Sequence, residues 1–151
     1  MFRKLGFMVL WPGLFVYFLG SKRTRVIIQH GSEVLLVRSS GRYFFDRDSW
    51  TLPGGGIQRG EEPIVATVRE THEELGIRLE PDALTYITKQ KSGDNGLQYM
   101  AYFFRIMLNT RPTLTLSPKE IRDAQWFTLQ AAQQLPLKRE AHQALVLLAD
   151  Q

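Results

Sequence analysis

Cysteine is absent from this 151-residue chain, which removes disulfides, thiolate zinc sites and cysteine nucleophiles together. Histidine is scarce: His30, His72 and His142 are the whole supply, and they lack the spacing of a zinc protease. Any bound metal must therefore use oxygen or histidine ligands, and the histidine spacing favours a hard divalent cation held by carboxylates over zinc. Long charge blocks, low-complexity tracts and internal repeats are missing too, so neither disorder nor a solenoid is indicated. The chain is too short for two full domains, yet its 44% hydrophobic content suffices for one core. Acids are outnumbered, and the net charge of +4 suits anionic partners such as phosphates. No nucleic-acid-binding motif accompanies that charge, so specific nucleic-acid recognition is not expected.

One long apolar run is present, over residues 5–20, with Arg3 and Lys4 before it and Lys22, Arg23 and Arg25 after it. As a helix it would be ~24 Å long, short of the ~30 Å hydrocarbon core of a bilayer. No small-residue cleavage site follows it, and Trp11, Pro12 and Gly13 interrupt its middle, so a cleaved signal peptide fits poorly. Two readings stand equal: association with a membrane, or packing on the domain or on a second copy in a homodimer. The division is then an apolar segment over 1–22 and one folded domain over 23–151. The expected location is the cytoplasm, with membrane attachment through residues 5–20 as the variant.

Periodicity supplies the elements. Stretches 24–28 and 33–37 flank His30, Gly31 and Ser32 as a hairpin. Residues 39–48 show no period and read as a loop near a pocket, offering Arg42, Tyr43 and Phe44. Residues 50–52 suggest a short strand, stopped by Pro53 and by Gly54, Gly55 and Gly56. Pro63 and Gly76 punctuate a helix between them. Its stripe of Ile64, Val68, Thr71 and Leu75 should face a sheet, leaving Glu70, Glu73 and Glu74 elsewhere. Spacings of three and four residues put Glu70 about 5 to 6 Å from both other acids, Cβ to Cβ. Such crowding is unfavourable, most of all near the negative end of a helix, and a divalent cation would reverse the cost. A second hairpin is expected from 84–90 and 97–108, and a last helix over Arg139–Ala149.

The segment GGIQRGEEPIVATVRETHEELGI resembles the Nudix signature G-x(5)-E-x(7)-R-E-U-x-E-E-x-G-U, where U is a bulky aliphatic. Gly55, Glu61, Arg69, Glu70, Glu73, Glu74 and Gly76 fill every fixed position, and Ile77 fills the second aliphatic one. Thr71 is the single departure. With a usage of roughly 6 to 7% per residue type, chance agreement along the chain is on the order of one in a million. Further likeness lies in Trp-x-Leu-Pro-Gly-Gly before the helix and in Trp126 and Phe127, read as opening a later strand.

The resemblance implies an α+β fold, an α/β/α sandwich around a mixed sheet, over the domain of residues 23–151. It implies hydrolysis of a diphosphate linkage in a nucleotide-like small molecule, with Mg2+ as cofactor and Mn2+ as a substitute. Glu70, Glu73, Glu74 and the carbonyl of Gly54 would hold the metal, with Glu120 from a later loop as an additional acid. Glu70 is the first choice of base and Glu120 the second. Arg69 would either pair with Glu61 to hold the loop or steady Glu70. Arg42, Tyr43 and Tyr102 are the candidates for substrate contact, together with Phe44, Tyr99, Phe103, Lys89 and Lys91. The alternative is an inactive nucleotide-binding or sensing module on the same fold, recruited to a membrane by its N-terminus.

Overall fold

A computed structural model of the chain describes residues 21–41, 48–94 and 97–149. The apolar segment at 5–20 and the loop residues Arg42, Tyr43 and Phe44 lie outside the described residues. Five strands form one sheet: β1 (Lys22–His30), β2 (Glu33–Ser39), β3 (Thr85–Asp94), β4 (Leu97–Met107) and β5 (Ile121–Thr128). Their order across the sheet is β3-β4-β1-β2-β5, with β1 and β4 parallel and the other neighbours antiparallel. Helix α1 (Pro63–Leu75) covers one face, and α2 (Leu129–Gln133) with α3 (Arg139–Ala149) covers the other. The expected sandwich around a mixed sheet is thus observed.

Alternation along the strands explains the two layers. Val26 and Ile28 of β1, Leu35 and Val37 of β2, and Phe104 and Ile106 of β4 pack with Leu75 of α1. Their neighbours Ile27, Val34, Leu36, Ala101 and Phe103 pack with Ala141, Ala144, Leu145 and Leu148 of α3. Because the central strands carry apolar residues on both sides, they read as nearly continuous hydrophobic runs.

β1 and β2 pair in register at Gln29 with Val34 and His30 with Glu33, beside their turn. Farther on, the segment 51–57 lies against both strands. It accepts from Val26 N at Pro53 O (3.0 Å) and from Thr24 N at Gly55 O (2.9 Å), while Ile57 N donates to Lys22 O (2.9 Å). Thr51 and Val37 exchange both backbone bonds at 2.9 Å. The triple glycine is thereby fastened to the sheet through backbone hydrogen bonds on both sides of it.

Three local readings are corrected. Residues 50–52 form isolated bridges and no strand, because only Thr51 meets β2 and Trp50 turns to Leu137. Trp126 and Phe127 lie near the end of β5, which pairs with β2 from Ile121 onward. The second hairpin is longer than its hydrophobic run, because β3 continues through Ser92 opposite Tyr99 and ends at Asp94 opposite Leu97.

Candidate active site

Helix α1 is bounded by Pro63 at its start and by Gly76, whose φ of 70° is left-handed and whose N–H returns to the carbonyl of His72. The last two carbonyls of the helix are met from outside: Thr115 N donates to Leu75 O (2.9 Å) and Ser117 N to Glu74 O (3.0 Å). A side chain at 76 would press on Thr115, 3.0 Å from its Cβ. The segment so fastened runs into a turn where Glu120 N donates to Ser117 O, and Ser40 N donates to Glu120 O.

The buried face of α1 consists of Ala66, Thr67, Thr71, Glu74 and Leu75, with Ile64 and Val68 packed at its edge. Thr71, the departure from the signature, is fully buried, and its hydroxyl donates to the carbonyl of Thr67 (2.7 Å). Its methyl keeps the apolar contact while the helix satisfies its oxygen. Thr67 likewise donates to Pro63 O and meets the hydroxyl of Thr24 on β1.

Glu74 belongs to that buried face, contrary to the expectation that all three acids lie off it. Its carboxylate accepts from Gly54 N (2.8 Å), and burial pushes its pKa up to about 8, a rise that the Gly54 bond and the Arg25 charge oppose. Burial also raises the pKa of Glu70, although Arg69 bonds it. Glu120 adds a lesser repulsion to both carboxylates, so its charge is within electrostatic reach of theirs despite the separation in sequence. The glycines make the approach feasible: a Cβ at 55 would sit 2.5 Å from the Glu70 carboxyl carbon, and one at 54 would run into the Thr24 carbonyl.

Arg69 performs both roles that sequence reasoning left open. Its Nε and Nη2 grip the two oxygens of Glu61 at 2.8 and 2.9 Å, and Nη2 also donates to Gly56 O. Its Nη1 reaches Glu70 (2.9 Å) and Glu73 (3.2 Å). The hydrogen bond from Arg69 lowers the Glu61 pKa, and Gln58 N assists. Glu70 and Glu73 thus meet on one guanidinium nitrogen, Glu73 on its exposed side, while Glu74 lies on the buried face. Among the described residues no three His, Asp or Glu side chains stand as a ready metal-holding group. The donor chemistry nonetheless fits a hard cation: Glu70, Glu74 and Glu120 bring negative charge together, and one backbone N–H is the hydrogen bond that Glu74 receives.

Other candidates are placed elsewhere. Tyr102 packs against the core beneath α1, with the Lys89 ammonium 5.8 Å from its ring centre. Phe103 is core, and the Tyr99 hydroxyl bonds buried Glu140. Sequence reasoning missed an ion pair between Arg25 and Glu140 (2.7 Å), 5% and 2% exposed, which Thr51 also joins. The only sequence signal was a charge inside the apolar run of β1. A cleft of about 880 Å3 opens beside Glu70, between the start of β1 and loop residues 56–62.

A family model described as NUDIX domain matches residues 21–149. Over 46 residues the chain is 54% identical to the mouse diphosphoinositol polyphosphate phosphohydrolase 3-alpha, covering 30% of this chain and 26% of that protein. Over 49 residues it is 41% identical to an RNA pyrophosphohydrolase of Francisella tularensis subsp. mediasiatica, covering 30% and 32%. The matches thus span about a third or less of these curated relatives. A MutT NUDIX hydrolase from Burkholderia pseudomallei superposes with a TM-score of 0.73 at 26% identity, over 84% of this chain and 96% of that one.

Proposed function

The chain belongs to the NUDIX domain family, and on that premise we propose that it hydrolyses a diphosphate linkage in a nucleoside diphosphate derivative or a nucleoside triphosphate. The observation that carries this reading is the buried Glu74 carboxylate, hydrogen-bonded to Gly54 N, with the charges of Glu70 and Glu120 within electrostatic reach. Taking a carboxylate out of water is costly unless a cation compensates it. We assign Glu70, Glu74 and Glu120 as the acids that would hold Mg2+, or Mn2+ in its place, with the Gly54 carbonyl, and Glu73 after release from Arg69. The cation, when bound, would polarise the phosphoryl oxygens and lower the pKa of water.

The residues of the chain supply the rest. Glu70, held at one oxygen by Arg69, takes a proton from water as the water oxygen attacks phosphorus and the anhydride P–O bond breaks. Arg69 also ties the glycine loop to the helix through Gly56 O and Glu61, keeping the loop backbone beside the reacting phosphate. Glu74 stays with Gly54, so metal and loop share one anchor.

The test is phosphate or nucleotide release from a panel of nucleoside triphosphates, nucleotide sugars and dinucleotides with added Mg2+. Turnover of at least one class is expected, with Glu70→Gln and Glu74→Gln lowering kcat about 10²- to 10⁴-fold while the circular dichroism spectrum is kept. Equal rates in variants and wild type would rule the assignment out. Binding without turnover would mark a sensing module.

A further inference from the structure

The cleft beside Glu70 has a chemistry that the diphosphate reaction does not use. Its floor is backbone: Arg23 and Gly56 bridge, and Ile57 N donates to Lys22 O, so the wall from β1 and the wall from the loop are joined. Lys22 stands at one side and Arg59 at the other, both exposed, and among the described residues neither has an acidic partner. Ser21 lines the same space, and its Oγ is screened from solvent with no hydrogen-bond partner among the described residues. The acids of the cleft are largely answered already, since Arg69 holds both Glu61 and Glu70, leaving Glu62 as the remaining carboxylate. Arg23 also lines the cleft, with its guanidinium over the Tyr99 ring. A space walled on two sides and carrying two exposed cations without acidic partners is chemically matched to an anion that carries several acceptor oxygens.

We propose that this cleft is a subsite for a further phosphate group of the substrate, outside the bond that is cut, so that the preferred substrates are polyphosphorylated and not diphosphates with a neutral distal group. The proposal rests on the hydrolase reading for its position beside Glu70, while the binding itself requires no metal. Lys22 meets the distal phosphate as a point charge, and Arg59 can present two parallel N–H donors. Gly56 and Gly60 leave open space around the anion, where an added Cβ would meet nothing within 4 Å.

The experiment has two arms. In metal-free, low-salt buffer, calorimetric titration with inorganic tripolyphosphate should show binding that weakens about tenfold in Lys22→Ala and again in Arg59→Ala, the loss of one charge-assisted contact each. Melting curves of both variants should match wild type, since neither side chain is packed. With Mg2+ present, the double variant should lose kcat/KM for a nucleoside triphosphate and keep it for a nucleoside diphosphate sugar. Absent tripolyphosphate binding, affinity unchanged in the double variant, or equal loss on both substrate types would each overturn the subsite. Should tripolyphosphate bind through Lys22 and Arg59 while wild type hydrolyses nothing, the subsite stands and the hydrolase reading falls.

Discussion

A methyl group at position 55 is a small probe of the site. Gly55→Ala places carbon 2.5 Å from the Glu70 carboxyl carbon, and Glu70 is the group that must yield. Turnover should fall at least about 10²-fold while stability changes little, since Gly55 is not at positive φ. Kinetics beside a melting curve separate these outcomes, and near-normal kcat would show that the Glu70 position is not critical. Gly54→Ala differs, because φ there is 131° and the Cβ meets backbone; a loss of about 1 to 3 kcal/mol is expected in urea denaturation. Glu61 supplies the pH-dependent case. The Arg69 hydrogen bond lowers its pKa below the ordinary carboxylate value of 4.5, so its contribution is full above pH 4.5 and is lost as pH falls through the folded value. Glu61→Gln should therefore flatten the dependence of Tm on pH below 4.5, and an unchanged slope would place acid sensitivity elsewhere.

At the scale of elements, helix α1 is held by its neighbours as much as by its own caps. Gly76→Ala must adopt the left-handed region and press on Thr115, costing about 1 to 2 kcal/mol. Because the 115–117 segment leads to Glu120, that variant should also weaken Mg2+ binding, measurable by calorimetry; stability loss with unchanged affinity would uncouple the two. The Arg25–Glu140 pair ties β1 to α3 across the other layer. Glu140→Ala leaves a buried guanidinium unpaired and should cost about 3 to 5 kcal/mol. The double change Arg25→Met with Glu140→Leu should recover part of it, since the Thr51 and Tyr99 hydroxyls still lose their acceptor, and additive losses in denaturant titrations would contradict the pairing argument.

For the whole molecule, ligand binding to the folded state alone raises stability by mass action, about 2.7 kcal/mol at one hundred times Kd. Mg2+ should accordingly raise the Tm of the full chain and fail to do so in Glu74→Gln; equal shifts in both would move the metal away from the described acids. Among the described residues no helix is long and apolar enough to cross a membrane. Through its resemblance the signature implied the sandwich with its mixed sheet; the sequence by itself determined the bounds of α1 and α3 and the register of the signature. These rest on periodicity, proline and glycine within a few neighbouring residues, which act before any distant contact forms. Only tertiary structure decided that Glu74 is buried on Gly54 and that Glu120 comes within electrostatic reach of Glu70. It also decided that Arg25 finds Glu140 and that the glycines lie along β1. The reason is distance along the chain: helical spacing says which acids share a turn, whereas their burial, partners and charge depend on backbone brought from a strand and a loop far away in sequence.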